Sequence, residues 1–215
     1  MSDIVLLVAD SLGMPREGVL YNDTYLHKLK ESSQKEFVDR SKRARTTDSL
    51  HKEDTLEHYN PDIIITQIGI VDCAPRYSNK VERQLFKMVP SALTNPYMSV
   101  MKRLRSRKAR RQYVSPEVFK SNLKNYYERA EKGDTRIISI EIAPPTTQLQ
   151  EANPDVDVEI EKYNRIYNEL ANGFRNVEII NPYDSLNVDD VMIDDHHPNA
   201  IGHKYIFKQI KERLR

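Results

Sequence analysis

Three short stretches of this sequence hold side chains that can make and break covalent bonds. Ser11 stands in Val8-Ala9-Asp10-Ser11-Leu12-Gly13, directly behind an apolar run. A serine there projects from a strand end with its own N–H at the start of the next turn, which joins a nucleophile to an oxyanion donor. The same residue type also suits a helix N-cap, the commoner use of serine at such a position. The second stretch is Ile193-Asp194-Asp195-His196-His197-Pro198-Asn199. A serine nucleophile needs a base, and the base needs a carboxylate to hold its tautomer. Asp194 and His197 are three residues apart at the entry to a final helix, so one tight turn brings both to the same edge. The alternatives are a capping segment with solvated histidines, or a metal site using His196, His197 and His203 with Asp194 and Asp195. No compact ligand spacing supports the metal.

The third stretch is Gly69-Ile70-Val71-Asp72-Cys73-Ala74-Pro75-Arg76. Its glycine permits close backbone approach. Asp72 and Arg76 either pair with each other, or Arg76 meets an anionic substrate. Cys73 reads as a packed residue rather than a nucleophile, because nothing nearby is dedicated to activating it.

Strands and helices must bring these stretches together. Ile4–Ala9, Ile63–Ile70 and Ile137–Ile142 are short, continuous apolar runs rich in β-branched residues, and Val177–Ile180 is a weaker fourth. Continuous rather than alternating apolarity predicts strands covered on both faces, as in a parallel sheet. Helical patterns occupy Tyr25–Lys30, Val118–Lys132, Ile160–Gly173 and Ala200–Leu214, with Pro198 as a first-turn residue for the last. Strand–helix alternation predicts an α/β fold: a three-layer α/β/α sandwich with a mostly parallel, flavodoxin-like sheet, formed by residues 1–215 as one domain. Glu151–Glu161 is acidic and interrupted by Pro154. Residues 77–115 lack a clear strand and read as a helical insertion directly behind the end of the second apolar run. In open α/β sheets ligands bind at those carboxyl ends.

The three stretches, taken in order, resemble the SGNH (GDSL-type) hydrolase family. Asp10-Ser11-Leu12 is similar to its first block, with Ala9 in place of the family's glycine. Gly69-Ile70-Val71-Asp72 resembles the Gly-x-Asn-Asp block, and Asp194-x-x-His197-Pro198-Asn199 the closing Asp-x-x-His block. Between them Ala44 takes the position of a second-block glycine, followed by Thr46-Thr47. Each block alone is weak evidence; four in order, spread over the whole chain, are strong.

The resemblance implies Ser11 as nucleophile, His197 as general base and Asp194 as its orienting carboxylate. It implies an oxyanion hole built from the N–H groups of Ser11 and Ala44. The family's third oxyanion donor is the asparagine side chain of the third block, and here that position is Val71, which cannot donate. Losing one such donor typically costs about 10²–10³ in rate. Either another donor such as Arg76 or Arg45 substitutes, or remote substrate contacts supply the binding energy, or the site binds without turning over. The Asp10–Arg16 and Gly69–Arg76 stretches further resemble a bacterial subgroup associated with surface-polysaccharide biosynthesis. That implies an acyl ester, such as acetyl, on a sugar or polysaccharide precursor, cleaved by water or transferred to an acceptor hydroxyl. A non-catalytic glycan- or lipid-binding protein of polysaccharide assembly is the alternative.

Composition sets the remaining bounds. The 215 residues carry 33 Lys+Arg against 32 Asp+Glu, a net charge of +1 that exerts no global pull on nucleic acid. A single cysteine excludes an internal disulfide and a multi-cysteine zinc site. Neither a metal nor an organic cofactor is expected. The apolar run at the N-terminus is too short for a secretory signal or a membrane span, so a cytoplasmic location is expected. Met101–Arg111 holds seven basic and no acidic residues. Such a run is usually a solvated face. It also suits peripheral contact with an anionic membrane or a lipid-linked glycan, and it suits nucleic acid less, having no interleaved aromatic residues. Arg16, Arg43, Arg45 and Arg76 lie in or beside the motif blocks; with Asp72, Arg16, Arg45 and Arg76 are candidates for substrate contact, which would suit a carboxylate- or phosphate-bearing substrate.

Overall fold

Both faces of the central strands are buried, which is why they are apolar without alternation. The computed structural model describes residues 3–75 and 112–214. Five strands, β1 (Ile4–Ala9), β2 (Glu36–Asp39), β3 (Ile63–Gln67), β4 (Arg136–Ile140) and β5 (Val177–Ile180), form one sheet in the order β2-β1-β3-β4-β5. Every neighbouring pair is parallel. The helices are α1 (Tyr25–Ser32), α2 (Thr55–Tyr59), α3 (Ile70–Cys73), α4 (Pro116–Lys132), α5 (Thr147–Ala152), α6 (Val156–Ala171), α7 (Val188–Val191) and α8 (Ala200–Arg213). Leu6, Val8, Ile64 and Ile137 pack on one face with Phe119 and Tyr127 of α4 and Tyr163 of α6. Val5, Leu7, Ile65 and Ile138 pack on the other with Leu26 of α1 and Ile206 of α8. The α/β/α architecture read from the sequence is the one observed.

The differences are local. β2 was not foreseen. It is an edge strand, Glu-Phe-Val-Asp, with both ends exposed, so it lacks the continuous apolar signature of its neighbours. The second apolar run stops being a strand at Gln67, because Gly69 takes φ +121° and turns the chain into α3. Pro198 lies before the helix cap, in a bridge to Met192, and Asn199 caps α8 by accepting from the N–H groups of Ile201 and Gly202. The proposed helical insertion lies outside the described residues except at its last few positions, as do Arg76 and the basic run 101–111. Among the described residues, no helix is long and apolar enough to cross a membrane.

The strand order reverses between β1 and β3, which places a crevice at their carboxyl ends. Ser11 follows β1, Gly69 follows β3, and the loop before α8 closes over the same end of the sheet. That loop is pinned from below. A Cβ at Gly202 would stand 2.3 Å from the carbonyl oxygen of Val191, a backbone atom. Gly202→Ala should therefore destabilise the protein by roughly 1–3 kcal/mol, the usual cost of overpacking. Urea denaturation of the variant against wild type checks it.

Candidate active site

The turn after β1 decides what Ser11 is free to do. Asp10 donates its N–H to Gln67 O at 3.0 Å, closing the β1–β3 ladder. Its Oδ1 accepts from the Leu12 N–H at 2.8 Å and so caps the 3₁₀ turn Ser11–Gly13. The cap is thus Asp10 and not Ser11, whose hydroxyl is left for another partner. That partner is His197: Ser11 Oγ lies 3.0 Å from its Nε2.

The opposite side of the imidazole meets Asp194. His197 Nδ1 is 2.9 Å from both Oδ1 and Oδ2 of Asp194. Asp194 Oδ1 also accepts from the His197 N–H at 2.8 Å and the His196 N–H at 3.1 Å. The loop is closed by Ile193 N–H to His197 O at 2.8 Å and Asn199 N–H to Val191 O at 2.9 Å. One turn therefore brings the Asp194 carboxylate and the His197 imidazole together, as their spacing predicted. Burial opposes the charge on Asp194, but the two amides and the imidazole outweigh it and hold its carboxyl down at about 2. Burial, followed by the neighbouring His196, pushes His197 down to about 4 against the pull of Asp194. The imidazole is accordingly neutral at pH 7, with Nδ1–H directed to the carboxylate and Nε2 open to accept a proton from Ser11.

Ala44 takes φ +56°, the left-handed conformation that a glycine would adopt without strain. The segment before it runs beside the end of β1, with Lys42 N–H donating to Ala9 O at 3.0 Å, and Arg45 N–H closes a turn onto Lys42 O at 3.1 Å. The segment after it is clasped by Asp72. The Thr47 N–H and Oγ1 donate to Asp72 Oδ1 at 2.9 and 2.6 Å, and Asn122 Nδ2 of α4 donates to Thr47 Oγ1 at 3.1 Å. Val71 is 6 % exposed and packs in the apolar core, so its position offers no polar group.

The residues expected to touch substrate are placed differently from one another. Asp72 is fully buried and holds the Thr47 segment. Arg45 is 4 % exposed and donates to Glu53 and to the carbonyl of Arg40, both at 2.8 Å. Both have protein partners in place of the open position the sequence suggested. Arg16 reaches the site, but its guanidinium is paired with Asp194. Arg76 lies outside the described residues. Cys73 is buried, and His203 is buried beside Tyr25, accepting from its N–H at 3.4 Å.

Asp194, Asp195, His196 and His197 each present an atom of ligating type, all within 4.8 Å of one another. These atoms are already joined in pairs, His196 Nδ1 to Asp195 at 2.6 Å and His197 Nδ1 to Asp194. The His196 and His197 rings lie against each other, tilted by 37°, with centroids 3.9 Å apart.

A buried carboxyl beside a serine, an imidazole and its carboxylate held in one turn, and an open sheet end define an α/β protein with a Ser–His–Asp constellation at its switch point. The GDSL-like Lipase/Acylhydrolase family model matches residues 13–205, and the chain belongs to that family. The match begins two residues after Ser11, so the assignment of the serine rests on the geometry. No curated protein matches the chain. Solved structures share the fold. An esterase from Pseudoalteromonas sp. superposes with a TM-score of 0.62 at 15 % identity, covering 99 % of each chain. An acetyl xylan esterase gives 0.68 at 14 %, covering 99 % of this chain and 100 % of the other. A GDSL-like lipase from Bacteroides thetaiotaomicron gives 0.66 at 15 %, covering 99 % and 87 %.

Sequence reasoning missed one feature of the site. Asp10 is fully buried, its Oδ2 has no hydrogen-bond partner among the described residues, and burial, partly offset by the Leu12 amide, raises its pKa to about 7. The only trace in the sequence is an aspartate two residues before a turn amide. A carboxyl raised in the folded state contributes stability that is complete below its unfolded value of 3.8 and is lost as pH rises through about 7. Asp10→Asn, which keeps the acceptor for Leu12, should gain stability over wild type between about pH 5 and about pH 8, by roughly 2–3 kcal/mol. Paired denaturation curves at the two pH values check it; a difference that does not change with pH removes the buried charge from the account.

Proposed function

We propose that the protein is a serine esterase that cleaves a short acyl ester, acetyl above all, carried by a sugar. The observation that carries the reading is the Ser11 Oγ to His197 Nε2 contact of 3.0 Å, with His197 Nδ1 on Asp194. Ser11 Oγ attacks the acyl carbonyl carbon while its proton passes to His197 Nε2. The tetrahedral intermediate collapses, the sugar oxygen leaves with that proton, and the acyl group remains on Ser11. Water then attacks, loses its proton to Nε2, and the acid departs as the proton returns to Ser11 Oγ. A sugar hydroxyl in place of that water makes the same site an O-acyltransferase.

The N–H groups of Ser11 and Ala44 receive the developing oxyanion, as the left-handed turn at Ala44 supports. Val71 adds no third donor, and a shortfall of roughly 3–4 kcal/mol has to come from substrate contacts remote from the ester. A cavity of about 100 Å³ beside His196, lined by Ile70, Ala74, Pro75 and Leu149 together with Asn153 and Asp195, has room for a short acyl group. Fold neighbours that include acetyl xylan esterases agree with a carbohydrate ester, and polysaccharide biosynthesis is the setting the motif forms suggest. The buried Val71 favours a second reading, a glycan-binding protein with weak turnover.

Intact-mass analysis after a serine-directed fluorophosphonate tests the first reading. Wild type should gain one adduct, and Ser11→Ala and His197→Ala none. Asp194→Asn should lose about 10⁴-fold in kcat on an acetylated sugar or p-nitrophenyl acetate. Well-folded wild type with no adduct and no turnover moves the binding reading ahead. The acidic limb of kcat/KM should fall near pH 4, where His197 gains its proton, and not at the ordinary histidine value of 6.5. A pH–rate profile with its limb at about 6.5 contradicts a desolvated base.

A further inference from the structure

Arg16 was a candidate for substrate contact, yet its Nη1 donates to Asp194 Oδ2. The backbone that carries it is built for that contact. Arg16 and Val19 exchange N–H···O bonds of 3.0 and 2.9 Å, closing a tight turn, and Gly18 within it has φ +80°. A Cβ on Gly18 would stand 2.4 Å from Ile193 Cδ1, so the turn lies directly against the residue before Asp194. The chain that leaves Ser11 thus docks on the loop that supplies the base. Around Arg16 the open groove also contains Glu17 and Asp194. Two carboxylates beside one guanidinium make a poor receptor for an anionic substrate.

We propose that Arg16 is a positioning residue of the catalytic constellation, which fixes the Asp194 carboxylate and sets the basicity of His197 through it. The proposal rests on the esterase reading for its rate consequences, though not for its electrostatic ones. Asp194 has two oxygens and four donors. Oδ1 takes the two loop amides, Arg16 takes Oδ2, and the imidazole Nδ1–H meets both oxygens. With the guanidinium on Oδ2 and the loop amides on Oδ1 the carboxylate is held at both oxygens, and part of its charge is neutralised. The charged and titratable groups around His197 are Asp194, Asp195 and His196 on its own loop and Arg16 from the turn after Ser11, and Asp10 interacts electrostatically with His196. Arg16 is the cation supplied from another element, and removing it makes protonation of His197 easier.

The test compares wild type with Arg16→Met and Arg16→Lys by steady-state kinetics on p-nitrophenyl acetate across pH, and by NMR titration of the His197 imidazole. In Arg16→Met, kcat should fall on the order of tenfold to a hundredfold with KM held within about twofold. Its His197 midpoint and the acidic limb should both rise by roughly half a pH unit or more. Arg16→Lys, which keeps a cation but not the planar fork, should return the midpoint toward wild type and recover part of kcat. A rise in KM with kcat intact would make Arg16 a substrate-contact residue and overturn the proposal. So would an unchanged His197 titration in Arg16→Met. If wild type shows no turnover, the esterase reading fails by itself, and the NMR midpoints still decide the role of Arg16. Should Arg16→Met fail to fold, Arg16→Gln takes its place: a raised His197 midpoint with a lowered kcat supports the proposal, and an unchanged titration overturns it.

Discussion

A carboxyl group buried at the end of the first strand organises this protein. Asp10 has to leave the β-ladder where β1 stops, and it does so by donating its own N–H to Gln67 and accepting from Leu12 with its side chain. Those two bonds form the turn without Ser11. The serine hydroxyl is therefore unspent, and the turn aims it at the loop before α8. A serine acting as its own cap would have directed the hydroxyl back to the turn amides and away from any base. Stability is given up for this arrangement, because Asp10 Oδ2 is buried without a hydrogen-bond partner among the described residues.

The loop Ile193–Asn199 answers it from the other end of the chain. A single acid serves two amides, an imidazole and a guanidinium, so its position is over-determined. That redundancy keeps the His197 ring fixed while its environment holds it neutral. Fixing the ring matters because its two nitrogens must face a carboxylate and a hydroxyl simultaneously, and rotation about either bond breaks one of the contacts. Asn199 and Gly202 brace the loop from the helix side, and the Arg16–Val19 turn braces it from the serine side.

The side proposed to receive the oxyanion is built more sparingly. Asp72 clasps Thr47, and Asn122 of α4 supports Thr47 in turn, so the left-handed turn at Ala44 is tethered to the core on one flank and to β1 on the other. Val71, two residues from the switch-point glycine, turns inward to the core. On the proposed reading, substrate recognition away from the ester has to supply what a third donor would have given.

Much of this was legible in the sequence. Continuous β-branched runs identified the three central strands, since a strand buried on both faces has no polar side to interrupt it, and the partly exposed edge strand β5 left a weaker trace. The i, i+3 spacing of Asp194 and His197 is a local property, so a single turn delivered what the residues implied. The family blocks marked Ser11 and Ala44 for the same reason: each is a short backbone shape written in adjacent residues. The edge strand β2 escaped because half of it faces water. The fates of Arg16, Arg45 and Asp72 also escaped. Each arginine stood in or beside a motif block, and the sequence could say only that a cation was near. Whether a guanidinium meets Asp194, 178 positions away, or Glu53, eight away, depends on which loops the sheet brings together. The sequence determined which chemistry was on hand and at which strand ends; the tertiary structure decided which charges were consumed in building the site and which serve it, because pairing across the sheet is a matter of distance in space and not of order in the chain.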